Sequence, residues 1–195
     1  MLNSLQNRTP TRFTPITAPG VFTASYRPKL RLRIAGRSAD PVALARLSVA
    51  AGINTALWSP DTACISNAET INDLQITHLS SPSELPETQD DEATAFVLMM
   101  HDQDWEPALL GPALAGNAFY VGAVGSPSTH VKRRALLAGQ GLPASDIDRI
   151  HAPIGLVPSL RDASMLAIST LAEIIGIFHT LQTNPMAQQK AHTNA

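Results

Sequence analysis

From residue 30 onward, apolar positions fall alternately into short extended runs and longer runs with helical spacing. Residues 30–35 form a first short strand of alternating character, closed by Gly36. Asp40-Pro41 opens a helix with Asp40 as its cap; Leu44, Leu47, Val49 and Ala51 supply the apolar face, and Gly52 ends it. Residues 53–58 read as a second strand, stopped by Ser59-Pro60-Asp61. Strand, helix and strand in about thirty residues is the size of one βαβ unit.

Residues 62–92 lose the pattern. They are polar and punctuated by Pro82 and Pro86, and are expected to be irregular, with a short strand over 74–79. Residues 94–100 (TAFVLMM) are continuously apolar, as a central parallel strand covered on both faces requires. Asp104 caps a helix to about Ala115, and residues 118–124 form another strand that breaks at Gly125. Ser126 is a good N-cap there, and Pro127 takes the first helical position, where a missing N–H costs nothing. This helix ends near Gly139. Residues 143–150 read as a short helical piece, and 151–156 as extended or turning, because Pro153 holds its predecessor out of the helical region. Asp162 begins a last helix whose residues 165–178 are apolar on most faces, so burial in the domain or against another subunit is expected. Alternating strands and helices predict a three-layer, doubly wound α/β fold with a mostly parallel sheet.

Charge adds more to this picture than composition does. The 195 residues suffice for one domain, and with 44% apolar but only 5% aromatic residues its core must be built mainly from Ala, Leu, Ile and Val. A formal charge of −2 supplies no field for nucleic acid or an anionic membrane surface. Its distribution is uneven: Arg46 and Lys132 bracket a stretch with no Lys or Arg and eleven acidic residues, whereas the first 46 residues hold eight basic residues against Asp40 alone. A solvated acidic loop beside a basic tail is favoured over an arm lying on an acidic middle. Cys64 is the single cysteine, so an internal disulfide framework and a Cys-rich zinc site are excluded. With no apolar signal core and no run expected to span a bilayer, a cytoplasmic location is expected.

In a doubly wound fold, ligands sit beyond the carboxyl ends of the strands. Three turns belong there: Gly36-Arg37-Ser38, Met100-His101-Asp102 and Gly125-Ser126. The first is a poor phosphate loop, since Ser38 holds a glycine position, Asp40 brings a negative charge and Pro41 removes an N–H. Ser59 stands where a ribose-binding carboxylate is wanted, and Asp61 substitutes only if the turn bends back; NAD(P) is therefore not expected. The start of the helix after Gly125 is better suited to an anion, with Ser126, Ser128 and His130 in its opening turns and Lys132, Arg133 and Arg134 beyond. His101-Asp102 lacks a third ligand at a regular spacing, so no metal site is expected. Without Gly-x-Ser-x-Gly no serine nucleophile is assigned, and no catalytic residue is named.

Three ordered segments carry a resemblance: 120–134 (YVGAVGSPSTHVKRR), 150–156 (IHAPIGL) and 167–175 (AISTLAEII). Together with Met100-His101-Asp102, residues 34–38 (IAGRS) and 43–47 (ALARL), they resemble the C-terminal Rossmann-like domain of the XdhC/CoxI family over roughly residues 30–178. These are accessory factors for xanthine dehydrogenase and related molybdenum hydroxylases. The resemblance implies residues 29–182 as that domain, 1–28 as a flexible basic arm or linker remnant, and 183–195 as a disordered tail. It implies cofactor handling rather than catalysis: binding of the molybdenum cofactor (molybdopterin, which carries a phosphate) and its delivery to a hydroxylase subunit. A cysteine desulfurase, a separate chain supplying the family's N-terminal region, and a second copy of this chain are further expected partners. The ligand residues expected are Gly36, Arg37, Ser38, His101, Asp102, Gly125, Ser126, Ser128, His130, Arg133, His151 and Gly155.

The chain departs from the family pattern at several of these places. The usual Gly-Ala-Gly-His becomes Gly36-Arg37-Ser38-Ala39, and the Asp after the second strand becomes Ser59. The usual Asp-Ile-Gly-Ala becomes Val157-Pro158-Ser159-Leu160, and the N-terminal Gly-Cys motif has no match. Two alternatives therefore stand beside the accessory factor: a protein-interaction module with a degenerate ligand site and, more weakly, a nucleotide-dependent oxidoreductase.

Overall fold

A computed structural model describes residues 28–183. The arm expected over 1–28, apart from Pro28, and the tail expected beyond Thr183 lie outside the described residues. The elements are β1 (Arg31–Gly36), α1 (Ala39–Ala50), β2 (Asn54–Ser59), α2 (Thr62–Ala68), β3 (Gln75–His78) and β4 (Thr94–Met99). They continue with α3 (Trp105–Ala115), β5 (Tyr120–Ala123), α4 (Pro127–Gly139), α5 (Ala144–Ile147), β6 (Ile150–His151) and α6 (Ala163–Thr183). All six strands run parallel in the order β3-β2-β1-β4-β5-β6. This is the doubly wound, Rossmann-like sheet that the alternation predicts, with its direction of winding reversing between β1 and β4.

Successive residues of a strand face opposite sides of the sheet, so it carries two cores. Leu32, Ile34, Leu57, Ala95, Val97 and Tyr120 pack with α1, α2 and α6 on one face. Ala35, Trp58, Phe96, Leu98, Val121 and Ala123 pack with α3, α4 and α5 on the other. β4, flanked by β1 and β5, is buried at all six positions, which is why its sequence is apolar without alternation.

Four expectations are corrected. The stretch 62–92 contains the helix α2, capped by Asp61, whose carboxylate accepts the Ala63 N–H at 2.9 Å. Helix α1 starts one residue before Asp40: Ser38 is its N-cap, and Asp40 lies in its first turn. The acidic cluster is not a free solvated loop, since Arg31 pairs with Asp91 and Arg33 with the buried Asp90. The Arg33 guanidinium also lies over the rings of Trp58 and Phe96, 4.6 and 4.3 Å from their centroids. Finally, α6 is half exposed. It buries Ala167, Ser169, Thr170, Leu171 and Ile174, while Met165, Ile168 and Ile175 face outward. By length and composition alone it could cross a bilayer, where no such run was expected; its buried side lies on α1.

Candidate functional site

The carboxyl ends of β1, β4 and β5 open into a cleft of roughly 710 Å³. Arg37, Ser38 and Asp40 form one side, Met99, Met100 and His101 the floor, and Val124 to Pro127 the next side. The irregular segment 153–161 closes it through Pro153, Ile154 and residues 157–161, with Leu166 at the start of α6. Five expected residues thus share one cleft: Arg37, Ser38, His101, Gly125 and Ser126.

The two βα turns lining this cleft have opposite characters. At the second, Gly125 adopts φ +134°, and a Cβ there would come within 3.0 Å of both His101 and Thr129. Only glycine lets the backbone pass this close to the imidazole. Ser126 caps α4 as expected, its Oγ accepting the Thr129 N–H at 3.2 Å, while the Ser128 and Thr129 hydroxyls lie 2.8 and 2.9 Å from the same oxygen. At the first turn, Ser38 adopts φ +70°, a region costly for a residue with a Cβ. Its N–H already donates to Asp61 at 3.3 Å: the turn after β2 does bend back, and sets a carboxylate where an anion would otherwise sit. The Ala63 N–H is the main cause that holds the Asp61 carboxyl below its usual range; burial works against it, and the Ser38 and Cys64 N–H groups and Arg37 add to the lowering.

The remaining expected residues support the cleft without lining it. Gly36 ends β1 so close to Met99 that a Cβ would meet its carbonyl oxygen at 2.7 Å. Asp102 pairs with Arg37 at 3.2 Å and, through Oδ1, accepts the Asp104 and Trp105 N–H groups, so it does the capping of α3 expected of Asp104. Ser128 bonds Ser126. His130 is half buried with Nδ1 unpartnered among the described residues; burial, then Arg133 and Arg134, lower its pKa.

Arg133 is not part of a basic rim. It is buried, bonding Glu106 at 2.8 and 3.1 Å and the Val124 carbonyl at 2.9 Å, directly beneath the Gly125 turn. Arg134 pairs with Asp148. His101 Nδ1 stands 3.6 Å from the same Glu106, so one buried carboxylate lies between the cleft imidazole and the α4 guanidinium.

His151 lies behind the cleft wall, stacked on Tyr120 with ring centroids 4.5 Å apart and its Nδ1 3.4 Å from Glu173. Gly155 adopts φ +95° and donates its N–H to Glu173. Residues that sequence reasoning missed are Glu106, Glu173, Arg161, Asp40 as a lining residue, and the closure by Asp61. Glu106, Glu173 and Asp61 act through partners distant in sequence, and Arg161 and Asp40 are brought to the cleft by the fold alone, although Glu173 stands inside one of the ordered segments.

Strand order, parallel register and the position of the cleft define a Rossmann-like α/β domain with its cavity at the carboxyl edge, beside the winding switch. The chain belongs to the XdhC Rossmann domain family, which matches residues 32–174. It is 33% identical over 156 residues to the molybdenum cofactor insertion chaperone PaoD of Escherichia coli K12, covering 80% of this chain and 42% of that protein. A solved structure described as a xanthine dehydrogenase from Bacillus halodurans matches with a TM-score of 0.64 at 22% identity, over 80% of this chain and 44% of the other, a likeness of fold. The chain therefore spans less than half the length of either protein.

Proposed function

We propose that the chain is an accessory protein in the maturation of a molybdenum hydroxylase, and that its cleft takes the molybdenum cofactor or a related phosphate-bearing ligand. Family membership and the similarity to a molybdenum cofactor insertion chaperone support the class of activity. The observation that carries the ligand site is the contrast between the two turns. The first is filled by an internal carboxylate, whereas the second presents the N-terminus of a thirteen-residue helix to the cleft. A helix start offers positive potential and N–H groups to an anion; at α4, where Pro127 has no N–H and Thr129 donates to the cap, that is the Ser128 N–H and the helix dipole. Arg37 and Arg161 add cationic groups to the same cavity, whose size suits a drug-sized ligand. The residues present thus fit a phosphate-bearing pterin. When bound, such a cofactor supplies molybdenum chemistry to its client enzyme; this chain's residues hold and shield it.

A hydroxylase subunit, a cysteine desulfurase, a separate chain contributing the family's N-terminal region, and a second copy meeting through α6 are the partners this reading proposes, in the cytoplasm. The test uses molybdenum cofactor released from a purified molybdenum enzyme, titrated into the protein and into Ser126→Asp. Asp is an equally good cap, so the helix persists while a negative charge occupies the site. Affinity is expected to fall by about tenfold or more, equivalent to about 1.4 kcal/mol. Unchanged affinity removes the α4 start from the site. The interaction-module reading is favoured by the closed first turn and the exposed face of α6; cofactor indifference with retention of a hydroxylase subunit on the immobilised protein decides for it.

A further inference from the structure

The cleft wall formed by residues 153–161 contains no helix or strand. Its position is set at the root. Ile154 is buried against the sheet, where a Cβ on Gly122 would come within 2.9 Å of it. The next three residues are held by two α6 residues one turn apart. The Gly155 N–H donates to the Glu173 carboxylate, the Leu156 N–H to the Ser169 carbonyl at 3.4 Å, and the Val157 N–H to the Ser169 hydroxyl at 2.8 Å. The fit is tight, since a Cβ on Gly155 would lie 2.8 Å from that hydroxyl. Among the described residues, no hydrogen bond ties the tip, 158–161, to the body.

Glu173 is itself fixed from the sheet side. The Tyr120 hydroxyl, buried in β5, donates to its Oε2 at 3.1 Å, and His151 of β6 stands 3.4 Å from Oε1. One carboxylate therefore joins β5, β6, α6 and the wall facing Gly125-Ser126.

We infer that Glu173 is a positioning residue for the cleft ligand: it touches no ligand, and sets the distance between the 153–161 wall and the start of α4. This rests on the ligand reading above, and deepens it by naming what gives the cavity its shape. A side chain that only stabilised the fold would loosen every variant alike, whereas a positioning residue separates affinity from stability.

The experiment compares Glu173→Gln with Tyr120→Phe. The first presents an amide to the Gly155 N–H and loses the pairing with His151; the second removes a donor on the sheet side and leaves the Gly155 bond in place. Two quantities are measured on each: amide exchange at Gly155 and Val157, and affinity for molybdenum cofactor released from a purified molybdenum enzyme. Exchange at Gly155 is expected to quicken by about tenfold in Glu173→Gln, where a neutral amide oxygen replaces a charged acceptor, with Val157 following more weakly as the wall loosens, and both to stay near wild type in Tyr120→Phe after correction for global stability. Affinity is expected to drop severalfold in Glu173→Gln alone. Ser169→Ala, which removes only the Val157 bond, is expected to follow Glu173→Gln more weakly, and it keeps the test open if the first variant does not fold. Equal exchange and affinity in all variants, or equal losses in Tyr120→Phe and Glu173→Gln, overturn the inference. If wild type fails to bind the cofactor, the ligand reading falls, and the exchange data still decide whether Glu173 sets the wall.

Discussion

Arg133 brings a whole guanidinium into the protein interior and leaves it 2% exposed. Two of its nitrogens are matched by Glu106 and the Val124 carbonyl, while Nη1 has no partner among the described residues. Removing one member of a buried ion pair leaves an uncompensated charge and costs about 3–5 kcal/mol, more than the pair adds over an apolar replacement. Arg133→Met is accordingly expected to lower stability in urea by about that amount, and the double variant with Glu106→Gln to recover most of the loss. A recovery of less than half would show that the two groups are not coupled. At this scale the sequence was least informative. A basic run at 132–134 reads as surface charge, and nothing local marks its middle member as buried opposite an acid 27 residues earlier. Ser38 was read as damage to a phosphate loop from its residue type alone, whereas its left-handed backbone and its bond to Asp61 depend on where β2 ends in space. Ser126, by contrast, was legible as a helix cap, because a cap and the proline after it are local chemistry.

At the scale of elements, the strands were read best. β4 follows from the six consecutive apolar residues 95–100, and β1, β2 and β5 from short runs closed by glycine or serine. Helix α2 was missed because seven residues give too few turns for a periodic pattern, and its cap Asp61 was read as a strand stop. β6 is only two residues long and is defined by its pairing with Val121 and Gly122, which no sequence window contains. Helix α6 was read as apolar on most faces; the structure divides it. Ile174 is fully buried and Ile168 is 51% exposed. Ile174→Ala is expected to cost about 2–5 kcal/mol, measured by denaturant titration. Ile168→Glu should change stability by less than about 0.5 kcal/mol. If the proposed pairing of two copies uses this face, Ile168→Glu also abolishes concentration-dependent association in the ultracentrifuge, and persistence of the association in that variant removes α6 from the interface.

For the molecule as a whole, the titrating groups fix a window of stability. Glu173 and Asp91 have folded pKa values below the ordinary carboxylate range. Burial raises both, and is outweighed by His151, Gly155 and Tyr120 around the first and by Arg31, Thr94 and Ala93 around the second. A depressed carboxyl pKa contributes stability above its unfolded value, lost as pH falls through the folded one. The pKa of His130 is lowered too, so protonation favours the unfolded chain below about pH 6.5, and the loss begins there. Burial first, and then Glu173, raise the phenol of Tyr120 far above its usual range, so the unfolded chain ionises first above about pH 10. Burial also raises the Cys64 thiol, so the unfolded chain ionises first there above about pH 8.5, and thermal denaturation across pH is expected to show a plateau from about 7 to 8.5 with losses on both sides; a midpoint that rises on acidification from pH 7 contradicts these assignments.

The two-faced core has a consequence for how this protein reports on itself. Both tryptophans of the chain, Trp58 and Trp105, lie in the layer with α3, α4 and α5, and Trp58 has the Arg33 cation above its ring. The layer with α1, α2 and α6 contains no indole, and its buried chromophore is Tyr120. Indole emission therefore views one side of the sheet and is blind to α6 and the wall it supports. Far-ultraviolet dichroism weighs both sides. Agreement between the two signals during melting would mean that the halves come apart as one, and a lag between them would measure how loosely the sheet joins them.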